Sequence, residues 1–383
     1  MKEAKAKSKA KLAYPQILET NINNWAVWAT KNQYNLAIYR KPNESPTLLI
    51  DSGALQKVEV PIEELSNGFL WANYEGDLWH MEATHQIKFD NNELINVPTE
   101  DLASGDWNYY TSSKEQSSTS KSEYLAAVKK GLKTILSSDL VKIVPSKVKI
   151  KPLKEGFSLA NAFVNLCQAY PTAFVSIVST KEFGTWLTAT PEVLIQVDNK
   201  GEFHTMALAG TQPFKATKPM HEVAWTDKDI EEQAMVSRYI INRFKEIRLR
   251  EFIEKGPMTV RAANLTHLCT TFTVDTKATE FQNLGGVMLN LLHPTSAVCG
   301  MPKESAIKLL KEIELHDRKF YTGYLGPVNI NNEISLYVNL RCMELFKNKA
   351  NLFAGAGVTA FSNPEKEWKE TELKLNTLLN IIE

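Results

Sequence analysis

The stretch from Leu352 to Leu379 constrains this chain more than any other. It opens with Leu352-Phe353-Ala354-Gly355-Ala356-Gly357-Val358, a run of small and apolar residues. Such a run reads as a buried strand whose glycines leave room for a ligand beside the backbone. Ser362 and Asn363 are helix-capping residues and Pro364 suits a first helical position, so a helix is predicted to start there. Its 3.6-residue period puts Glu367, Glu370 and Lys374 on one face. Trp368, Leu375, Leu378, Leu379 and Ile382 fall on a different, apolar face. Carboxylates spaced i, i+3 can supply oxygen ligands to magnesium, which takes the rest of its shell from water and substrate. The same face also reads as a solvated one, with Glu370 and Lys374 as an ordinary i,i+4 pair.

With 383 residues the chain suffices for two ordinary domains or one large one. Lysine plus arginine is 44 and aspartate plus glutamate is 44, a balance that argues against a general binder of nucleic acid or anionic membrane. Cys167, Cys269, Cys299 and Cys342 have no CxxC spacing and read as thiols in a reducing compartment. No run approaches the roughly 18 apolar residues of a membrane span. The Lys/Ala alternation of Met1 to Lys11 lacks the apolar centre of a secretory signal, so a cytoplasmic protein is expected.

In chain order, residues 1–20 read as a frayed helix or tail. Trp25–Trp28, Leu36–Tyr39, Thr47–Ile50 and His85–Phe89 read as strands. His80 and His85 are isolated, which favours surface or packing roles. Ser104 to Ser122 reads as an exposed, mobile loop. Ser122–Leu136 is a predicted helix with Tyr124, Val128, Leu132 and Ile135 on one stripe. Asp139–Lys147 follows as a strand with an edge or bulge at Pro145. Lys142, flanked by aliphatic residues, either snorkels out or is kept for its chemistry. Leu159–Tyr170 is a helix, Thr172–Val178 a strand, and Trp186–Val197 a strand pair bent at Pro191. Glu192, just past that proline, is either an exposed turn residue or a desolvated carboxyl with a raised pKa.

Phe203–Pro213 is a predicted strand, and Asp227–Arg248 a long helix with Ile230, Met235, Ile240, Ile241, Phe244 and Ile247 inward. Its early acids, Asp227, Asp229, Glu231 and Glu232, complement the helix dipole or meet a metal. Pro302–Leu315 is a helix, Tyr321–Gly326 a turn, and Ile334–Met343 a strand containing Arg341. Many strands with interspersed helices predict an α+β fold.

Four segments then agree in order: Leu208-Ala-Gly-Thr211, Leu291-Leu-His-Pro-Thr-Ser-Ala-Val-Cys-Gly300, Gly355-Ala-Gly357 and Glu367-Trp-Lys-Glu-Thr371. Together they make the chain resemble the chorismate-utilising enzymes, the isochorismate, salicylate, anthranilate and aminodeoxychorismate synthases. It is most similar to the isochorismate synthases. The resemblance covers roughly residues 120–383. It implies a catalytic region over 116–383, with 1–115 a weakly recognisable part of the same fold. That fold is expected to be one large chorismate-binding domain of packed, mainly antiparallel sheets flanked by helices.

The resemblance also implies roles. Lys142 lies where the family carries the base that activates water against C2 of chorismate, and Glu192 matches the acid that protonates the departing C4 hydroxyl. Glu232, in the counterpart of a KDxxEH helix start, and Glu370 match magnesium ligands, with Glu367 a water-mediated or indirect metal partner. Gly210, His267, Ala297, Val298, Arg341, Gly355 and Lys374 match substrate-lining positions. Arg341, Lys374 and magnesium would balance a dianionic substrate.

The chain departs from the family at Pro145-Ser146-Lys147 (usually Leu-Ser-Arg), at Gln212 (often Arg) and at Gln233 (usually His). Lys142 argues against anthranilate synthase and Ala209 against aminodeoxychorismate synthase. Salicylate synthase remains a rival, with Tyr321 and Leu340 compatible with either enzyme, and a non-catalytic chorismate-binding protein is a third reading. The expectation is an isochorismate synthase, an isomerase feeding menaquinone or siderophore synthesis. It is expected to be a monomer without an obligate glutaminase partner.

Overall fold

The computed structural model describes residues 2–90, 93–94, 102, 104–214, 219–262 and 265–382. Its helices are α1 (Lys2–Lys31), α2 (Lys121–Ser137), α3 (Leu159–Ala169), α4 (Asp227–Glu246), α5 (Leu284–Leu292), α6 (Lys303–Ile313) and α7 (Pro364–Ile382). The early strands are β1 (Asn35–Arg40), β2 (Thr47–Asp51), β3 (Gln56–Lys57), β4 (Gly68–Ala72), β5 (Leu78–Glu82), β6 (His85–Asp90) and β7 (Glu93–Leu94). The middle adds β8 (Lys142–Ile143), β9 (Ser146–Pro152), β10 (Phe174–Thr180), β11 (Gly184–Thr190), β12 (Val193–Val197), β13 (Glu202–Pro213), β14 (Ile253–Ala262) and β15 (Leu265–Asp275). The last are β16 (Gly300–Met301), β17 (Tyr324–Val328), β18 (Ile334–Val338), β19 (Cys342–Leu345) and β20 (Lys349–Gly355).

Two 9-stranded sheets form the body, one ordered β7-β6-β2-β1-β10-β11-β19-β20-β9 and the other β14-β15-β13-β12-β18-β17-β4-β5-β3. Neighbouring strands run antiparallel, as in β1 on β10 and β4 on β17, so the α+β expectation holds. Strands from the first third therefore sit in both sheets. Alternation along β1 shows how each sheet face is used. Ala37 and Tyr39 join the core with the second sheet, while Leu36 and Ile38 face α1, α3 and α7. A third cluster packs α2 and α6 around β8.

The feature that positions the site is a double change of sheet. β11 pairs with β19 in the first sheet (Thr188 opposite Cys342), and β12 with β18 in the second (Val193 opposite Tyr337). The chain thus crosses between sheets twice, side by side, at Pro191 and at Asn339–Arg341. Proline has no N–H for a ladder, which ends β11. Arg341 takes a positive φ of 48° at the other crossing, a conformation uncommon for any residue but glycine. Backbone bonds lock the pair, from Ala189 N–H to Arg341 O (3.0 Å) and from Val338 N–H to Glu192 O (3.0 Å). Thr188 Oγ1 donates to Asn339 Oδ1 (2.7 Å), and Asn339 Nδ2 donates to Phe320 O (2.9 Å).

Several sequence expectations are corrected. Trp25–Trp28 is not a strand but the last part of α1, where Ile22, Trp25, Ala26 and Ala29 recur at helical spacing and are buried. The segment expected to be a frayed tail belongs to the same helix. Asp139–Lys147 is broken at Pro145 into β8 and β9, and Ile334–Met343 splits into β18 and β19. The Tyr321–Gly326 turn runs on into β17. On α4, Ile230 is exposed and Met235 half-buried; Val236 and Tyr239 are buried with Ile240 and Phe244, and Ile241 and Ile247 pack on the core partly buried. Ser104–Ser122 is irregular up to α2 but anchored: Trp107 Nε1 donates to Thr30 Oγ1 (3.0 Å) and Tyr109 OH to Phe346 O (3.0 Å). Thr119 N–H donates to Val148 O (2.9 Å), so the segment covers the free edge of β9.

Candidate active site

A cleft opens where the two crossings meet the ends of β13 and β20 and helices α4 and α7. Glu192, Leu340 and Arg341 come from the crossings, Ala209, Gly210 and Thr211 from β13, and His267 from β15. Ala297 and Val298 enter from the loop before β16, Gly355 and Gly357 from the end of β20 and beyond, and Tyr321 from the approach to β17. The helices add Glu232 (α4), Glu370 and Lys374 (α7).

One wall is buried and close to neutral. Glu192 is 5% exposed, and burial pushes its carboxyl up to about 7 against the pull of Arg341, Lys142 and Lys374. Burial, then the positive charges of Arg341 and Lys374, hold His267 down to about 3, so its imidazole is neutral. Its Nδ1 lies 2.7 Å from Gly210 O, which assigns the proton to Nδ1 and leaves Nε2 an acceptor, 3.5 Å from an Arg341 amino group. Gly210 has φ +68°, and a Cβ there would press on Asp229 and Trp225.

The other wall is a set of lysine–glutamate pairs. Lys142 is fully buried, with Nζ 2.8 Å from Glu232 Oε1. The angle there is poor for a hydrogen bond, so the ammonium is paired in charge while its protons lack a well-aligned acceptor. Burial pushes the Glu232 carboxyl up, but the Lys142 and Lys228 ammoniums overcome it and hold it down to about 2. Lys228 meets Glu367 at 2.7 Å, and Lys374 meets Glu370 at 2.7 Å while donating to Gly355 O (2.9 Å). Burial raises the pKa of Glu367, whose side chain is 2% exposed. Gly357 makes the Lys142–Glu232 contact possible, because a Cβ there would lie 2.3 Å from Glu232 Oε1. The capping expectations hold in part: Asn363 Oδ1 accepts from Glu365 and Lys366 N–H at the start of α7. On α4, Asp229 reciprocates Thr226 in a capping box, the bland role for an early acid.

Ten of the sequence-predicted site residues line the cleft: Glu192, Gly210, Glu232, His267, Ala297, Val298, Arg341, Gly355, Glu370 and Lys374. Lys142 and Glu367 lie one layer behind, Lys142 against Glu232 and Glu367 against Lys228. Lys228 was not singled out from the sequence. Its signal is its place four residues before Glu232 on one helix face.

The carboxylates of Glu232, Glu367 and Glu370 are hard oxygen donors suited to magnesium. Among the described residues the set of donors within 4.8 Å of one another is instead Asp198, Glu202 and His204. There Asp198 Oδ1 already accepts backbone N–H groups of Lys200 and Glu202 on a half-exposed turn. Each of the three site glutamates instead rests on an ammonium, Glu232 on Lys142, Glu367 on Lys228 and Glu370 on Lys374. The wall already stabilises positive charge, so the donor set fits a cation.

Residues 75–383 match the family described as chorismate binding enzyme, most of the chain. The chain belongs to that family. The match begins earlier than the motifs alone indicated and takes in the strands from β5 onward. The chain is 30% identical to isochorismate synthase EntC of Escherichia coli (strain K12) over 216 residues, 55% of this chain and 54% of EntC. The alignment thus spans about half the length of that relative. In fold it resembles MenF, the menaquinone-specific isochorismate synthase of Escherichia coli (TM-score 0.73, 18% identity, covering 94% of this chain and 91% of that one). It also resembles anthranilate synthase component I of Streptococcus pneumoniae (TM-score 0.67, 16% identity, 90% and 89% covered). The same fold serves enzymes of both names, so the reaction has to be argued from the site. Among the described residues no helix is long and apolar enough to cross a membrane.

Proposed function

We propose that the protein is an isochorismate synthase, converting chorismate to isochorismate by adding water at C2 and expelling the C4 hydroxyl. The observation behind this reading is a near-neutral acid in the cleft, Glu192 at about 7, with a buried lysine, Lys142, one layer behind the cleft against Glu232. Lys142 acts in its neutral form, having given up the proton of the resting ammonium, and takes a proton from the attacking water as its oxygen bonds to C2. Both ring double bonds shift, C1=C2 to C1=C6 and C5=C6 to C4=C5, the C4–O bond breaks, and Glu192 gives its proton to the departing hydroxyl. Atoms balance, because one water enters and one leaves. Arg341 and Lys374 meet the substrate carboxylates, and neutral His267 holds the guanidinium in place through Nε2. Glu232 and Glu370, with Glu367 beside them, would hold magnesium, which when bound neutralises a substrate carboxylate. Because water is the nucleophile, no ammonia-supplying glutaminase is needed.

The test is product analysis after incubating purified protein with chorismate and magnesium, beside an EDTA control. Isochorismate accumulating to equilibrium without salicylate is the expected result. Salicylate plus pyruvate would assign the chain to the salicylate synthases. No turnover in either arm would leave a chorismate-binding protein without catalysis.

A further inference from the structure

Lys228 stands on the first turn of α4, one helical turn before Glu232, and reaches across to α7. Its Nζ donates to Glu367 Oε1 at 2.7 Å, and its charge acts on Glu232 and Glu370 as well. One ammonium is therefore bonded to one of the three carboxylates proposed for the metal and acts on the other two through its charge. The other two lysines of the wall differ from it. Lys142 is 0% exposed and cannot leave without opening the core, and Lys374 is tied to Gly355 O as well as to Glu370. Lys228 has a side chain 24% exposed and, among the described residues, hydrogen-bonds Glu367 alone, so it has a route to solvent. Without it, three carboxylates would crowd one wall with the charge of one to spare over Lys142 and Lys374, a costly arrangement where water is scarce.

We propose that Lys228 is the resident counter-ion of this carboxylate wall, holding Glu367 in place when no divalent cation is bound and swinging out when one binds. This rests on the reading that Glu232 and Glu370 take magnesium. It makes Lys228 a competitor for the metal and a stabiliser of the metal-free protein. Loading becomes an exchange of one cation for another, and magnesium affinity is set below what the three carboxylates would otherwise give.

The experiment is calorimetric titration of magnesium chloride into the full chain, paired with thermal unfolding with and without magnesium. The proteins are the parent, Lys228→Met, Lys228→Arg and Glu370→Ala. Lys228→Met should bind magnesium on the order of tenfold more tightly than the parent. It should melt lower than the parent without magnesium and gain more from adding it. Lys228→Arg, which keeps the charge, should bind like the parent, and it preserves the test if the methionine variant folds poorly. If Lys228→Met binds magnesium no tighter than the parent, or Lys228→Arg binds much tighter, the exchange is overturned. If Glu370→Ala binds as the parent does, the metal lies elsewhere, and both the ligand assignment and the exchange fall together.

Discussion

Glu192 and Glu232 line the same cleft, yet burial decides the protonation of one and loses at the other. Glu192 sits at a chain crossing with no ion pair among the described residues, and desolvation takes it up to about 7. Glu232 is desolvated too, but Lys142 at 2.8 Å and the Lys228 charge take it down to about 2. The difference is made by what the neighbouring elements bring within reach. The crossings place Arg341 near Glu192 without an ion pair, whereas α4 and β8 set a lysine directly on Glu232. Two carboxyls pushed apart in this way can do acid work and anchoring work in one site at one pH.

The largest expected effect comes from removing the lysine on the charged wall. Lys142→Met should lower kcat/KM on the order of a thousandfold, the middle of the range for lost general-base catalysis, with chorismate binding retained. Steady-state kinetics with a separate binding measurement checks it, and an active variant would exclude Lys142 as the base. On the neutral wall, Glu192→Gln should cost about a hundredfold in kcat. It should also alter the pH profile. The Glu192 proton is present below about 7 and lost as pH rises through it, so parent activity should fall on the alkaline side. The glutamine variant should lose that limb. If it keeps the limb, another group is the acid.

A smaller effect tests whether the two walls depend on close backbone approach. Gly357→Ala would put a Cβ 2.3 Å from Glu232 Oε1 and 3.2 Å from Lys142 Cε, forcing that pair apart. About a tenfold loss of kcat/KM is expected, the scale of a displaced catalytic group. Activity equal to the parent would show that the Lys142–Glu232 spacing does not matter.

Much of this was legible in the sequence where the signal is local. The period of α7 and its Asn363-Pro364 start, the buried run ending at Gly357, and the proline beside Glu192 each announce a local structure. Trp25–Trp28 misled because four residues cannot separate a period of 2 from one of 3.6; with Ile22 and Ala29 included the helix is clear. The crossings were hidden because strand pairing is non-local. Nothing in Ile334–Met343 says that its two halves bond to different sheets. Lys228 was hidden by its neighbours, since Asp227 and Asp229 suffice to explain a capped helix start and left no reason to ask what the lysine met. The choice between a desolvated and a solvated Glu192 likewise needed Leu340 and Arg341 beside it in space.

The smallest effect concerns the crossings that hold both walls in register. Thr188 and Asn339 are fully buried, and the threonine hydroxyl donates to Asn339 Oδ1 at 2.7 Å just where the strands part. Valine fills the same volume but cannot donate, so Thr188→Val leaves a buried amide oxygen without that partner. The expected cost is about 1–3 kcal/mol of stability, read by denaturant unfolding. Asn339 still donates to Phe320 O, so the crossing should keep its path, and kcat/KM should stay within about twofold of the parent. A large loss of activity with little loss of stability would mean that this bond steers Glu192 and Arg341 themselves. The walls would then be coupled through the crossing and not merely set side by side by it.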